Sequence, residues 1–303
     1  MYRFSVAFSV AIDNRTNLGQ TLLIQPVKAQ REPGRSRVCR VGKRSKRGRG
    51  LYETLEVSQY QSRPPSFLNA LTEIPRTLFE MNALLLAMPL LSLMPRGDQH
   101  TVMVLPGFMA GDESTAVLRR YLSSMGYEVM PWLLGRNTGR LDIMQHRLQD
   151  RFEAVFAQSA GPVSLIGQSL GGIYARELGR LFPNKVRQVI TLGSPFGVTN
   201  GQGTNPLVQR LFEQQAGMTI EQMREALKAM DPNQTPPIPL TAIYSKGDGI
   251  VNWRVCREMQ ENHRTENIEV CGSHCGMGFN PTIYRIIANR LAQSTTGWQK
   301  YQP

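Results

Sequence analysis

Between an apolar run, Val163–Ile166, and a segment of helical periodicity, Ile173–Leu181, the chain reads Gly167-Gln168-Ser169-Leu170-Gly171-Gly172. A serine hydroxyl is a poor nucleophile at neutral pH unless a base takes its proton and an acid orients that base. Displayed on a tight strand-to-helix turn, such a serine needs small neighbours two residues before and after it, because a Cβ there would collide with the reversing backbone. The helix that follows points its amide dipoles at the turn, where developing negative charge would sit. The other reading of Gly167-x-Ser169-x-Gly171 is a glycine-rich turn without chemistry. The flanking strand and helix, and the two partners found downstream, favour Ser169 as a nucleophile.

The partners are sought in the chain order serine, acid, histidine. Of four histidines, His263 and His274 follow Ser169. His263 lies in the charged run Glu258-Met-Gln-Glu-Asn-His-Arg-Thr-Glu266, which reads as exposed. His274 follows an apolar strand through Cys271-Gly272-Ser273 and so falls on a loop at a strand end, the edge where an α/β sheet gathers its chemistry. His274 is therefore favoured as the base. Asp248 follows the strand Leu240–Tyr244 and is flanked by Gly247 and Gly249. Its plain reading is a turn aspartate, and its rival as the acid is Asp231, in a Pro-rich insertion. Two backbone N–H groups are needed for an oxyanion hole. Leu170, next to the nucleophile, supplies one, and Phe108, after the first strand, supplies the other. Gly107 and Met109 on the same loop are expected to border the substrate.

These residues require a particular scaffold. From Thr101 onward, strands are expected at Thr101–Leu105, Tyr127–Trp132, Val163–Ile166, Val186–Leu192, Leu240–Tyr244 and Asn267–Val270. Helices are expected at Ala116–Met125, Leu141–Ala157, Ile173–Leu181 and Thr282–Leu291. The alternation predicts an α/β fold, a mostly parallel sheet with helices on both faces. Residues 198–236 interrupt it with two helices, Pro206–Ala216 and one starting at Thr219, which read as a lid-like insertion. Upstream, Leu68, Leu71, Ile74, Leu78, Met81, Leu84 and Leu85 recur at helical spacing within residues 63–98. They predict an amphipathic helix laid on the core by that face, with Pro75 kinking or splitting it. No run of 18 apolar residues exists, so no transmembrane helix is expected. Peripheral lipid contact through Met81–Met94 is the second reading of that segment.

The 303 residues are 41% hydrophobic and 19% charged, values of a globular protein rather than a disordered one. The net charge of +12 is uneven. Residues 1–62 hold 12 Lys and Arg against 4 Asp and Glu, a net of +8, which leaves the remainder only mildly basic. Arg31–Arg49 alone has nine Lys and Arg against one Glu, and no aromatic residue is interleaved with them. Residues 1–62 are thus expected to be a disordered basic extension rather than a nucleic-acid-binding arm. Cys39, Cys256, Cys271 and Cys275 fit no zinc or redox spacing. Free thiols are expected, a Cys256–Cys271 bridge being the alternative in an exported chain. An apolar stretch at Phe4–Ile12 is too weak for a secretory signal, so a cytoplasmic setting is expected, with export left open.

Taken together, Val104-Leu-Pro-Gly-Phe108, Ile166-Gly-Gln-Ser-Leu-Gly-Gly172, Thr191-Leu-Gly-Ser-Pro-Phe196, Tyr244-Ser-Lys-Gly-Asp248 and Gly272-Ser-His-Cys-Gly-Met277 resemble bacterial α/β-hydrolases of the triacylglycerol lipase/esterase group. The resemblance spans roughly residues 64–295. Where that group often has His before the glycine of the first motif, this chain has Pro106. The resemblance implies an α/β-hydrolase fold and ester hydrolysis without a metal or organic cofactor, on a small-molecule or lipid ester. The same triad would equally serve an acyltransferase. A third reading is a non-catalytic membrane- or nucleic-acid-binding protein led by the basic extension. The sequence does not specify an oligomeric state.

Overall fold

The computed structural model describes residues 8–11, 23–26, 41–43, 51–53, 64–140, 146–197, 203–226, 235–259, 261–294 and 297–302. The chain divides into two units, Met1–Gln59 and Tyr60–Pro303. In the first, β1 (Phe8–Ala11) pairs antiparallel with β2 (Leu23–Pro26), and β3 (Val41–Lys43) pairs antiparallel with β4 (Leu51–Glu53). Apart from these strands, the expected disordered extension lies outside the described residues, as do Cys39 and Asp231.

The second unit is built on a sheet of six strands. They are β5 (Thr101–Leu105), β6 (Glu128–Met130), β7 (Val163–Gln168), β8 (Val186–Leu192), β9 (Leu240–Tyr244) and β10 (Thr265–Glu269). Their order is β10-β9-β8-β7-β5-β6, and every pairing is parallel. Each central strand is apolar along its length because both faces are covered. Successive side chains point to opposite faces. Met103 and Leu105 thus join one core layer, and Val102 and Val104 the other. The first layer receives α4 (Leu148–Gln158), α5 (Leu170–Leu181), α6 (Pro206–Ala216) and α7 (Ile220–Ala226). The second receives α2 (Glu73–Leu91), α3 (Asp112–Ser124) and α8 (Pro281–Leu291). Parts of the insertion, 198–202 and 227–234, are outside the described residues, as is 141–145 before α4. Cys256, Cys271 and Cys275 are free.

The segment before the sheet departs from expectation. It breaks at Thr72, between α1 (Phe67–Leu71) and α2, and Pro75 sits within the first turn of α2. A proline there costs nothing, since that N–H has no helical acceptor. Pro89 lies in the last turn, so α2 runs unbroken for 19 residues and is long and apolar enough to cross a membrane by length and composition. Its orientation is also the reverse of that expected. Of the seven periodic apolar residues only Leu84 is buried; Leu68, Leu71, Ile74, Leu78, Met81 and Leu85 are exposed. The inward face carries Glu73, Glu80, Leu84 and Leu91.

A buried ion pair braces the nucleophile helix. Arg176 of α5 is fully buried, bonds Glu258 and lies 4.0 Å over the Phe196 ring. The other Glu258 oxygen accepts from Thr235 Oγ1 at 3.0 Å. Removing one partner of a buried pair strands the other charge. Arg176→Met is expected to cost about 3–5 kcal/mol of unfolding free energy, and adding Glu258→Gln should recover part of that loss. Urea titration of the two variants checks both.

Candidate active site

Ser169 stands between β7 and α5 with φ 50° and ψ −120°, in the left-handed region that non-glycine residues seldom enter. It persists because its surroundings over-determine it. Its N–H donates to Leu192 O at 2.8 Å, and its own carbonyl accepts from Gly172 N–H at 3.0 Å. A Cβ at Gly167 would overlap the backbone of Gly171 and Gly172, and one at Gly171 would lie 2.6 Å from Pro106 O. The glycines flanking the serine therefore let α5 turn back over β7 and let the loop after β5 come alongside it.

The loops after β9 and β10 bring the other two residues to the serine. His274 Nε2 is 3.1 Å from Ser169 Oγ, and His274 Nδ1 is 2.6 Å from Asp248 Oδ2. The remaining Asp248 oxygen accepts from Ile250 N–H at 2.8 Å and Val251 N–H at 2.7 Å, which fixes the carboxylate. Both side chains are buried. Burial alone would depress the His274 pKa. The Asp248 carboxylate, through its charge and its hydrogen bond, and the charge of Glu73 outweigh that, so it is raised above 6.5. The other histidines stand apart. His263 is exposed, and His100 bonds Ser164 Oγ and Asp98.

On the loop after β5, Phe108 lines a cavity of about 70 Å³ together with Ser169 and Leu170. The helices of the insertion wall one side of it, with Phe212 of α6 and Met223 of α7 among its lining. Met109 N–H is taken by Asn137 O at 2.7 Å. The N–H groups of Phe108 and Leu170 have no acceptor among the described residues, which leaves both free to donate. Gly107 and Met109 do not border the cavity. The missing Cβ of Gly107 would sit 3.3 Å from Ser169 Cβ, so this glycine makes room for the serine. Met109, at φ 61° and tied to Asn137, reverses the chain.

Four further residues position these loops, and sequence reasoning missed all of them. Asn137, buried, donates from Nδ2 to Pro106 O at 2.9 Å and accepts from Tyr174 Oη at 3.1 Å, which pins the loop carrying Phe108. Glu73 Oε1 accepts from Gly249 N–H at 2.8 Å and His274 N–H at 3.0 Å; its Oε2 accepts from Cys275 N–H at 3.0 Å. One carboxylate thus joins the Asp248 loop to the His274 loop. Glu80 holds the second loop again, accepting from Ser273 N–H at 3.0 Å, from Ser273 Oγ at 2.5 Å and from Asn280 Nδ2 at 3.2 Å. Arg76, between them on α2, donates to Gly247 O at 2.7 Å. The one available signal was the i, i+7 spacing of Glu73 and Glu80 within a mostly apolar helix. No group of three or more His, Cys, Asp or Glu able to hold a metal occurs among the described residues.

No family model and no curated protein matches the chain. Solved structures similar to it include a metagenome-derived lipolytic enzyme from the study of LipS and LipT, at 16% identity over 65% of this chain and 94% of the other, with a TM-score of 0.48. A monoacylglycerol lipase of Paleococcus ferrophilus is 12% identical over 66% of this chain and 96% of its own, with a TM-score of 0.47. The thioesterase domain of the curacin biosynthetic pathway is 12% identical over 66% and 93%, with a TM-score of 0.43. In the chain itself, the parallel sheet ordered β10-β9-β8-β7-β5-β6 and a strained serine turn between its central strand and the next helix make the second unit an α/β-hydrolase fold.

Proposed function

We propose that the protein is a serine hydrolase of carboxylic esters, with Ser169 as nucleophile, His274 as general base and acid, and Asp248 as the group that orients it. The observation that carries this reading is the unbroken relay Ser169 Oγ, His274 Nε2, His274 Nδ1, Asp248 Oδ2, at 3.1 and 2.6 Å, buried beneath a small apolar cavity. In the first half-reaction Ser169 Oγ attacks the ester carbonyl as its proton passes to His274 Nε2. The carbonyl oxygen becomes an oxyanion, to which the N–H groups of Phe108 and Leu170 donate. Collapse expels the alcohol, which takes the proton from His274 and leaves an acyl-Ser169 ester. Water then attacks that ester as its proton passes to His274. Collapse returns the proton to Ser169 and releases the carboxylic acid. Asp248 stays ionised throughout and stabilises the imidazolium. The apolar lining from α6 and α7, and the motif resemblance to the lipase/esterase group, support an ester with an apolar acyl part.

A fluorophosphonate probe is expected to label Ser169. Ser169→Ala should lose both the label and at least about 10⁴-fold in turnover of p-nitrophenyl butyrate. An unlabelled protein, or a Ser169→Ala variant with full turnover, overturns the reading. The pH dependence follows from the base. His274 must be neutral to accept a proton, and its pKa is raised above 6.5. kcat/KM should therefore fall as the pH is lowered, through a midpoint above 6.5. Glu73→Gln removes one of the charges that raise it, so that variant's midpoint should move down. The cavity itself makes a third test. At about 70 Å³ it is far smaller than the roughly 300–1,000 Å³ of ordinary ligand sites, and Phe212 packs edge-on to Phe108 with ring centroids 5.4 Å apart. Short acyl chains should be preferred, and Phe212→Ala should raise the octanoate-to-butyrate ratio of kcat/KM several-fold.

A further inference from the structure

A helix at a protein surface ordinarily turns its apolar stripe inward. Among the described residues, α2 buries Leu84 and Leu91 but leaves the larger part of its apolar surface outside. The inward face of α2 is anchored by polar bonds: Glu73 to three backbone N–H groups, Glu80 to Ser273 and Asn280, Arg76 to Gly247 O. Rolling α2 to bury its apolar side would break all of these and expose two carboxylates that are now buried. The apolar side is therefore held outward by the residues that hold the active-site loops. Ile74 is 75% exposed, Leu85 72%, Leu86 83% and Leu90 69%, and Phe67 and Leu68 of α1 continue the surface at 74% and 71%.

We infer that the outer face of α1 and α2 is a seat for the surface of a lipid bilayer. Two observations select lipid over a second protein copy. The first is the width of the apolar arc. At about 100° per residue, the exposed positions of α2 from Met81 through Leu78 and Leu86 to Leu90 sweep roughly 180° of the helix. The only polar side chain in that arc, Asn82, spends its amide on Leu78 O at 2.8 Å. A partner helix covers a narrower stripe, whereas the acyl and headgroup boundary of a bilayer wraps the whole outer half of a helix lying in its plane. The second is charge. Between residues 64 and 96 both acids are buried, Arg76 is paired with Glu73 at 3.2 Å, and Arg96, beyond the helix, is exposed. Glu269, which lines a groove with Phe79 of α2, is paired with Lys246 at 2.7 Å, so no unpaired acid borders the face on that side, and the exposed Arg96 matches anionic headgroups. Arg31–Arg49, with nine Lys and Arg, precedes it in the same chain. Since Glu73, Glu80 and Arg76 tie α2 to the unit, the helix lies on the bilayer and does not cross it.

The seat is next to the chemistry. A Cβ at Gly249 would meet Ala70 N of α1 at 2.5 Å, and the following residue, Ile250, lines the cavity above Ser169. The inference does not depend on the ester hydrolase reading, and its test is a binding measurement on the full chain. Wild type is incubated with vesicles of phosphatidylcholine alone and with vesicles carrying one quarter phosphatidylglycerol, then sedimented. Binding to both is expected, more tightly to the anionic ones. Leu78→Gln/Leu85→Gln/Leu86→Gln, at exposed sites away from Ser169, should lower partition onto the neutral vesicles at least tenfold. Its thermal unfolding should match wild type, and so should its labelling by the fluorophosphonate probe if that reading holds. Ser169→Ala should bind like wild type even if no esterase activity is ever found. Wild type left in the supernatant of both vesicles, a triple variant that partitions like wild type, or a wild-type dimer that the variant converts to a monomer would each overturn the inference.

Discussion

Everything in the second unit is arranged around one backbone position that is unfavourable in isolation. Ser169 holds a positive φ without being glycine, a conformation that costs of order 1–3 kcal/mol. It is held by hydrogen bonds to β8 on one side and the first turn of α5 on the other, and by the absence of Cβ atoms at Gly167 and Gly171. Those absences also set distances elsewhere. Because Gly171 lies against the carbonyls of Leu105 and Pro106, the end of β5 comes close to the serine, and Phe108 reaches the cavity beside it. A single Cβ at Gly171 would push the two loops apart and separate the candidate oxyanion donors.

The loops that carry Asp248 and His274 have no such covalent neighbour to fix them. They leave adjacent strands, β9 and β10, and the polar face of α2 joins them. Glu73 accepts from both loops with one carboxylate, and Glu80 then ties the second loop to Asn280, which also caps α8 by accepting from Thr282 N–H. Charged acceptors make stronger bonds to backbone N–H groups than neutral ones, and here they satisfy amides that burial would otherwise leave without partners. The consequence is geometric. With Glu73, Arg76 and Glu80 turned to the protein beside Leu84 and Leu91, the remaining apolar residues of the helix are left for the outside.

Much of this was legible in the sequence, for reasons that separate by range. Strands buried on both faces write themselves as short apolar runs, so β5, β8 and β9 fall on the expected residues. Proline and asparagine at the start of α6 mark its first turn just as plainly. The serine turn, the acid after β9 and the histidine after β10 were each readable from their immediate neighbours. The reversal of α2 was not. Periodicity shows that a helix has two unlike faces, and the inference that the apolar one turns inward is a general tendency that the specific bonds of Glu73 and Glu80 override. Their partners lie 176 to 202 residues away for Glu73 and 193 to 200 for Glu80, beyond any local pattern. Asn137 was hidden for the same reason: its side chain bonds Pro106, 31 residues earlier, and Tyr174, 37 residues later, from a loop that reads only as Arg-rich.

The two carboxylates beside His274 play unequal parts, and the difference is one of direction. Asp248 bonds the imidazole itself, so it fixes the tautomer that leaves Nε2 free to face Ser169. Glu73 bonds the backbone N–H of the same residue and touches the ring only through its field. Orientation of the ring thus comes from the loop after β9, whereas the position of the whole residue comes from a helix that precedes the sheet. A protonated His274 would be stabilised by both, although burial opposes it. The imidazolium that proton transfer from Ser169 would create is therefore met by charge already in place, with no group required to move to stabilise it.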